Sequence, residues 1–179
     1  NESRIEAEYF SASSSQTIYP MADTTSAANS PSATDRTLLN AVGGEKWQAV
    51  GQWVEYNFTV PKSGNYNIVA RFKQNILDGM ATSRVLELYS DSSLKEGDDG
   101  YYNGVPIDEA SRLKFNYSDD WQVGPLSDGT TDFEFYFKEG VTYTLRFEIS
   151  LGAMGSTVSR VQAALDAINN DYLKILKLT

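Results

Sequence analysis

Cysteine and histidine are both absent from these 179 residues. Their absence excludes thiolate and imidazole metal sites, disulfide frameworks, and every catalytic scheme that rests on a Cys nucleophile or a His base. Basic residues are also in short supply. Fifteen Lys and Arg stand against 24 Asp and Glu, for a formal charge of −9. Such a surface repels nucleic-acid phosphates and anionic lipid heads, so no nucleic-acid partner is expected, and it suits cations or neutral polar ligands. No apolar run approaches the roughly 18 residues that would suggest a membrane-spanning helix, so no membrane insertion is expected. The opening Asn1-Glu2-Ser3 reads as the boundary of a mature or excised chain. A chain of this length is enough for one well-buried domain, and residues 1–179 are taken as one.

What is present is strand grammar. In Trp53-Val54-Glu55-Tyr56-Asn57-Phe58-Thr59-Val60 the even positions make an apolar face, and Pro61-Lys62-Ser63-Gly64 supplies a turn. Alternation resumes with Tyr66, Ile68, Ala70 and Phe72 facing one way and Asn67, Val69 and Arg71 the other, which predicts an antiparallel meander pair. Val85 to Tyr89, Phe133 to Phe137 and Tyr143 to Ile149 repeat the pattern. The two ends, Ile5 to Phe10 and Tyr172 to Leu178, also read as strands. Many short strands with Gly, Asp and Ser turns predict an all-β sandwich or jelly roll. Two segments depart from this. Residues 11–37, rich in Ser, Thr and Ala, read as a long surface loop. Residues 156–170 read as a helix, capped by Ser156 or Thr157, with Val158, Val161, Leu165 and Ile168 at three- and four-residue spacing. Simple packing against the sandwich is the expected use of that stripe.

Ile5-Glu6-Ala7-Glu8 places two carboxylates at i and i+2. On a strand they share one side, about 7 Å apart. Two like charges held that way need a counter-cation, or one must take up a proton. Ordinary solvation on an exposed strand is one reading. A hard divalent cation with oxygen ligands is another, and calcium tolerates the irregular cage that strands and loops provide. A glycosidase acid pair, with carboxyls roughly 5–5.5 or 6.5–9.5 Å apart, is a third. Adjacent same-face positions give little reason for the divergent environments that such a pair needs.

Three stretches resemble a known family. Ile5-Glu6-Ala7-Glu8-Tyr9-Phe10 resembles the opening strand of carbohydrate-binding modules of families 6 and 35. Trp53, Tyr56, Val60-Pro61, Gly64, Tyr66 and Arg71, at the spacing they have here, resemble the central hairpin of those modules. Asn169-Asn170-Asp171-Tyr172-Leu173 resembles their closing strand. The segment Tyr102-Asn103-Gly104-Val105-Pro106-Ile107-Asp108-Glu109-Ala110, the pair Tyr117 and Trp121, and a helical insertion before the closing strand are similar to a variant found in large extracellular solute-binding proteins of Gram-positive bacteria.

The resemblance implies a galactose-binding-like β-sandwich jelly roll that binds polysaccharide or oligosaccharide without catalysis. It also implies a structural calcium held by Glu6, Glu8 and Asp171, with loop carbonyls as further donors, those around Asp35 to Thr37 being the candidates. For the sugar it points to Trp47, in the Gly-rich turn Gly43-Gly44-Glu45-Lys46-Trp47, and to Asn169, with Asn75 as a second polar candidate. Each of these has a plainer use: Trp47 can fill the core, and Asn169 can cap the helix. The protein so implied is a monomeric module of a larger bacterial chain, secreted or on the cell surface, beside neighbouring domains. The alternative is a structural or protein-interaction module whose sugar cleft is blocked by the helix. An exposed Trp47 over an open cleft favours the first, and a buried Trp47 with an exposed apolar helix stripe favours the second.

Overall fold

The alternating aromatic and β-branched stretches form the strands, and their alternation decides which side chains are buried. The computed structural model describes residues 3–31, 35–76, 78–104 and 113–176. Its strands are β1 (Ala12–Ser13), β2 (Trp53–Phe58), β3 (Gly64–Asn67), β4 (Val69–Phe72), β5 (Thr82–Ser90), β6 (Leu113–Phe115), β7 (Gln122–Pro125), β8 (Glu134–Phe137) and β9 (Tyr143–Ser150). One helix, α1 (Gly155–Leu176), follows them. The largest sheet is five-stranded, in the order β1-β2-β9-β5-β6, and every pairing in it is antiparallel. Facing it are two short antiparallel ribbons, β3–β8 and β4–β7. They abut end to end at Ile68, whose carbonyl accepts from the Leu126 N–H at 2.8 Å. The arrangement is mostly antiparallel sheet in two layers around one core, with a single helix at the C-terminal end.

Val54, Tyr56, Leu86, Leu88, Tyr143 and Leu145 point inward from the large sheet, and Phe135 and Phe137 point inward from β8. Phe137 meets Phe58 edge-on at 5.1 Å between centroids and Tyr143 at 4.8 Å, so aromatic rings join the two layers. Tyr143 is fully buried, and its hydroxyl oxygen accepts from the Lys138 N–H at 2.9 Å. The inward face of Tyr66, Ile68 and Ala70 packs on the same core, while Val69 and Arg71 are exposed, as alternation predicts.

Four expectations fail. The turn at residues 61–63 does not close a hairpin between β2 and β3. It carries the chain from one layer to the other, with Val60 buried on the way, and β2 pairs instead with β1 and with the distant β9. The turn at residues 138–142 makes the return crossing, with Gly140 at φ 78°, a region that favours glycine. Second, Ile5 to Phe10 is not a strand. The chain turns at Ala7 and Glu8, and the Tyr9 N–H donates to the Glu6 carbonyl at 3.1 Å. Third, the expected strand over Tyr172 to Leu178 is helix as far as Leu176. No breaker interrupts the run from Gly155, and Tyr172 and Ile175 continue the three-four spacing of the residues before them, so helix propagation carries on through Asn169-Asn170. Nor does the helix pack on the sandwich, because none of its residues is buried.

Candidate functional site

The turn at Ala7 and Glu8 gives the two acids different fates. Glu6 is half-exposed. Its Oε1 lies 3.0 Å from Arg4 Nε and accepts a long bond from Ser30 Oγ at 3.4 Å. Glu8 is turned inward, with 6% of its surface exposed, and neither carboxylate oxygen has a hydrogen-bond partner. The Tyr56 hydroxyl, beneath the same turn, donates to the Ala7 carbonyl at 2.9 Å. Burial pushes the Glu8 carboxyl above its ordinary value. The Glu6 charge adds to that push, while its own backbone N–H and the Arg4 charge offset part of it. Burial also raises the Tyr56 hydroxyl, and the Glu8 charge raises it further.

A buried carboxylate with both oxygens unused is costly unless a proton or a cation accompanies it. Glu6, Glu8 and Ser30 offer only oxygen atoms, the donor type that a hard cation such as calcium prefers. Asp171 does not join them. It lies on α1 with its side chain 71% exposed and paired with Lys174 Nζ at 2.9 Å. Among the described residues, no group of three or more acidic side chains comes together in a way that could hold a metal.

The residues expected at a sugar site are likewise distributed. Trp47 is half-buried against the core. Its Nε1–H donates to the Gln52 carbonyl at 3.1 Å, and the Arg84 guanidinium lies 4.8 Å from the ring centroid. Burial lowers Arg84 to about 10. Asn75 is exposed just beyond β4, and Asn169 is exposed on α1. Val105 to Ala110, part of the segment like the solute-binding variant, lies outside the described residues.

Two other groupings have the chemistry of a binding surface. A cleft of about 440 Å³ opens between β6 and β7, lined by Phe72 and Phe115 together with the polar Lys114, Asn116, Gln122 and Ser127. Phe72 and Phe115 meet edge-on at 4.7 Å. The volume falls in the range of small-ligand sites, and none of Trp47, Asn75 and Asn169 lines it. Beside it in the chain, Trp121 Nε1–H points at Asp23 Oδ1 (3.2 Å) and Thr25 Oγ1 (3.3 Å), and Arg71 lies 5.5 Å from its ring. Arg71 in turn donates to Asn29 Oδ1 at 2.9 Å and Ser26 Oγ at 3.0 Å. Burial pushes the Asp23 carboxyl up. Bonds from Thr25 and Trp121 and the charge of Lys73 outweigh it and hold the group below its usual range. Asp23 to Asn29 of the Ser- and Thr-rich loop are therefore held beside the β4–β7 ribbon by these polar contacts. Tyr117 and Trp121 stand out in the sequence, but the Phe72–Phe115 lining becomes visible only once β4 and β6 are brought together.

No protein-family model matches the chain, and no curated protein is significantly similar to it. The chemistry of these sites is thus the basis for a functional reading.

Proposed function

We propose that this chain is a non-catalytic, calcium-stabilised β-sandwich module that binds glycan. The observation that carries the reading is the β6–β7 cleft, which combines ring edges with amide, ammonium and hydroxyl groups. Sugars present both C–H faces and hydroxyls, and they call for this mixture of apolar and directional polar contacts. The net charge of −9 fits a neutral ligand. The resemblance of the Trp53 to Arg71 stretch to carbohydrate-binding modules points the same way, and a jelly roll is our reading of the two-layer antiparallel arrangement. Calcium would be held by Glu6 and Glu8, with oxygens from the loop that carries Ser30, and would serve as a structural clasp. Secretion and a place beside other domains belong to the same reading.

A glycan array probed with and without chelator tests it. Wild type should retain at least one glycan class, and Asn116→Ala with Gln122→Ala should lose it while melting like wild type. Retention of no glycan in either condition would leave the second reading, a module that works through protein contacts. The exposed apolar face of α1 and the engaged, half-buried Trp47 favour that one.

A further inference from the structure

Helix α1 carries an apolar seam that nothing in the described chain covers. Val158, Val161, Leu165, Ile168, Tyr172 and Ile175 recur at spacings of three and four, and each is between 42% and 65% exposed. The same spacing reaches back through Met154 and Leu151, also exposed. A strict three-four repeat over about three heptads belongs to the seam of a coiled coil, and its natural partner is another helix with the same 3.5-residue period. A flat sheet or a glycan does not require that period. Among the described residues α1 is the one α-helix, so they supply no such partner.

We propose that α1 pairs with α1 of a second copy of this chain, antiparallel. Charge is the first argument. Arg160 and Lys174 balance Asp166 and Asp171, so the helix is neutral in a chain whose net charge is −9. At the positions flanking the seam, Thr157, Gln162, Ala164, Asn169, Asp171 and Leu176, a single residue type is charged, so no like charges face one another. The antiparallel arrangement also places the two acidic sandwiches at opposite ends of a helix about 33 Å long, well beyond a screening length of about 8 Å.

Side-chain volume is the second argument. Centred between Leu165 and Ile168, an antiparallel pair sets Val158 against Ile175, Val161 against Tyr172 and Leu165 against Ile168 of the other copy. Each layer then joins a smaller side chain to a larger one, or two of similar size. A parallel pair would stack Tyr172 on Tyr172 and leave Val158 on Val158 loose. The sequence led to the expectation of a monomer and of a stripe packed on the sandwich, and no residue of α1 is buried.

Sedimentation and light scattering over a concentration series test the pairing. The expected mass is twice that of the chain at high concentration, and it should fall to that of one chain in Leu165→Lys and Ile168→Lys. Those variants should keep the near-ultraviolet circular dichroism and Tm of the sandwich, because α1 has no buried residue. Chelator and glycan should leave the mass unchanged, which separates this pairing from the glycan and calcium readings. The chain has no native cysteine, so orientation can be read directly. Oxidising a mixture of Val161→Cys and Tyr172→Cys should give the mixed disulfide. A single-chain mass at every concentration, a fourfold mass, or Tyr172→Cys crosslinking to itself in preference would each overturn the proposal. The first of these would leave the seam to a different protein or domain.

Discussion

Glu8 sits where a carboxylate is least comfortable, inward-facing, near the Glu6 charge and with no well-formed hydrogen bond to either oxygen. Its folded-state pKa lies above the ordinary value of 4.5, because burial disfavours the charged form. For a group shifted in that direction the stabilising contribution is complete below the unfolded value. It is lost as pH rises through the folded value, where the native state must hold the naked charge. The metal-free protein should therefore lose stability between acid and neutral pH, by about 1–3 kcal/mol if the charge is left unsatisfied. Glu8→Gln should remove that part of the pH dependence and melt higher than wild type near neutrality without calcium. Adding calcium should reverse the order, since a ligand bound only by the folded form stabilises it by about 2.7 kcal/mol at a hundred times its Kd. Tm measured against pH, with chelator and with calcium, gives the four curves. Identical responses of wild type and Glu8→Gln to calcium would remove Glu8 from the site.

On the outer face of the five-stranded sheet, three strands meet at one side chain. Arg146 of β9 reaches Glu55 of β2 at 2.6 Å and Glu87 of β5 at 3.3 Å. Its guanidinium also lies 4.3 Å from the centroid of Trp53 and 5.2 Å from that of Tyr89. Glu55 and Glu87 face Arg146 directly in the register, so the cluster follows from the strand order. Arg146→Met should leave two half-buried carboxylates without their cation and cost about 1–3 kcal/mol, below the range for fully buried pairs. For a chain of this size that is a fall of roughly 3–10 °C in Tm, to be checked by calorimetry. No loss would mean that solvent already screens the cluster. The alternation of each strand was legible in the sequence, and so was its buried face, because period two is a local property. The pairing of β2 with β9 was not, since nothing near Trp53 encodes a partner some 90 residues away. The same limit explains the two ends. Glu6-Ala7-Glu8 alternates like a strand, but a turn held by Tyr56 bends it. Tyr172-Leu173-Lys174-Ile175 satisfies strand and helix spacing alike, and continuity with the preceding turns decides for helix. Glu8 was legible as a candidate from its neighbour Glu6, though its burial was not, whereas Asp171 depended on a closing strand that does not form.

At the scale of the whole molecule, the segment from Arg4 to Phe10 is the part whose attachment depends most on how the buried Glu8 carboxyl is neutralised. It reaches the sandwich through the Tyr56 hydroxyl, the packing of Phe10 on the core and the Ser11 N–H, which donates to the Glu55 carbonyl at 2.7 Å. It reaches the long loop through the Ser30–Glu6 contact. The segment and the stretch of loop from Asp23 to Ser30 lie outside the regular ladders, so their opening is local and requires less free energy than unfolding of β9, which is paired on both sides by β2 and β5. A cation shared by Glu6, Glu8 and the loop would tie these two weakly held pieces together and to the sheet. Calcium should then slow amide hydrogen exchange selectively, in Glu6 to Tyr9 and around Ser30, by the same factor at both places. Exchange within β9 should slow only to the extent that global stability rises. Hydrogen exchange followed by mass spectrometry, with calcium and with chelator, distinguishes the cases. Protection confined to the N-terminal segment would place the ion on Glu6 and Glu8 without the loop. Equal protection across all strands would mean that the ion acts through global stability alone, and no change at either place would leave Glu8 to be neutralised by a proton.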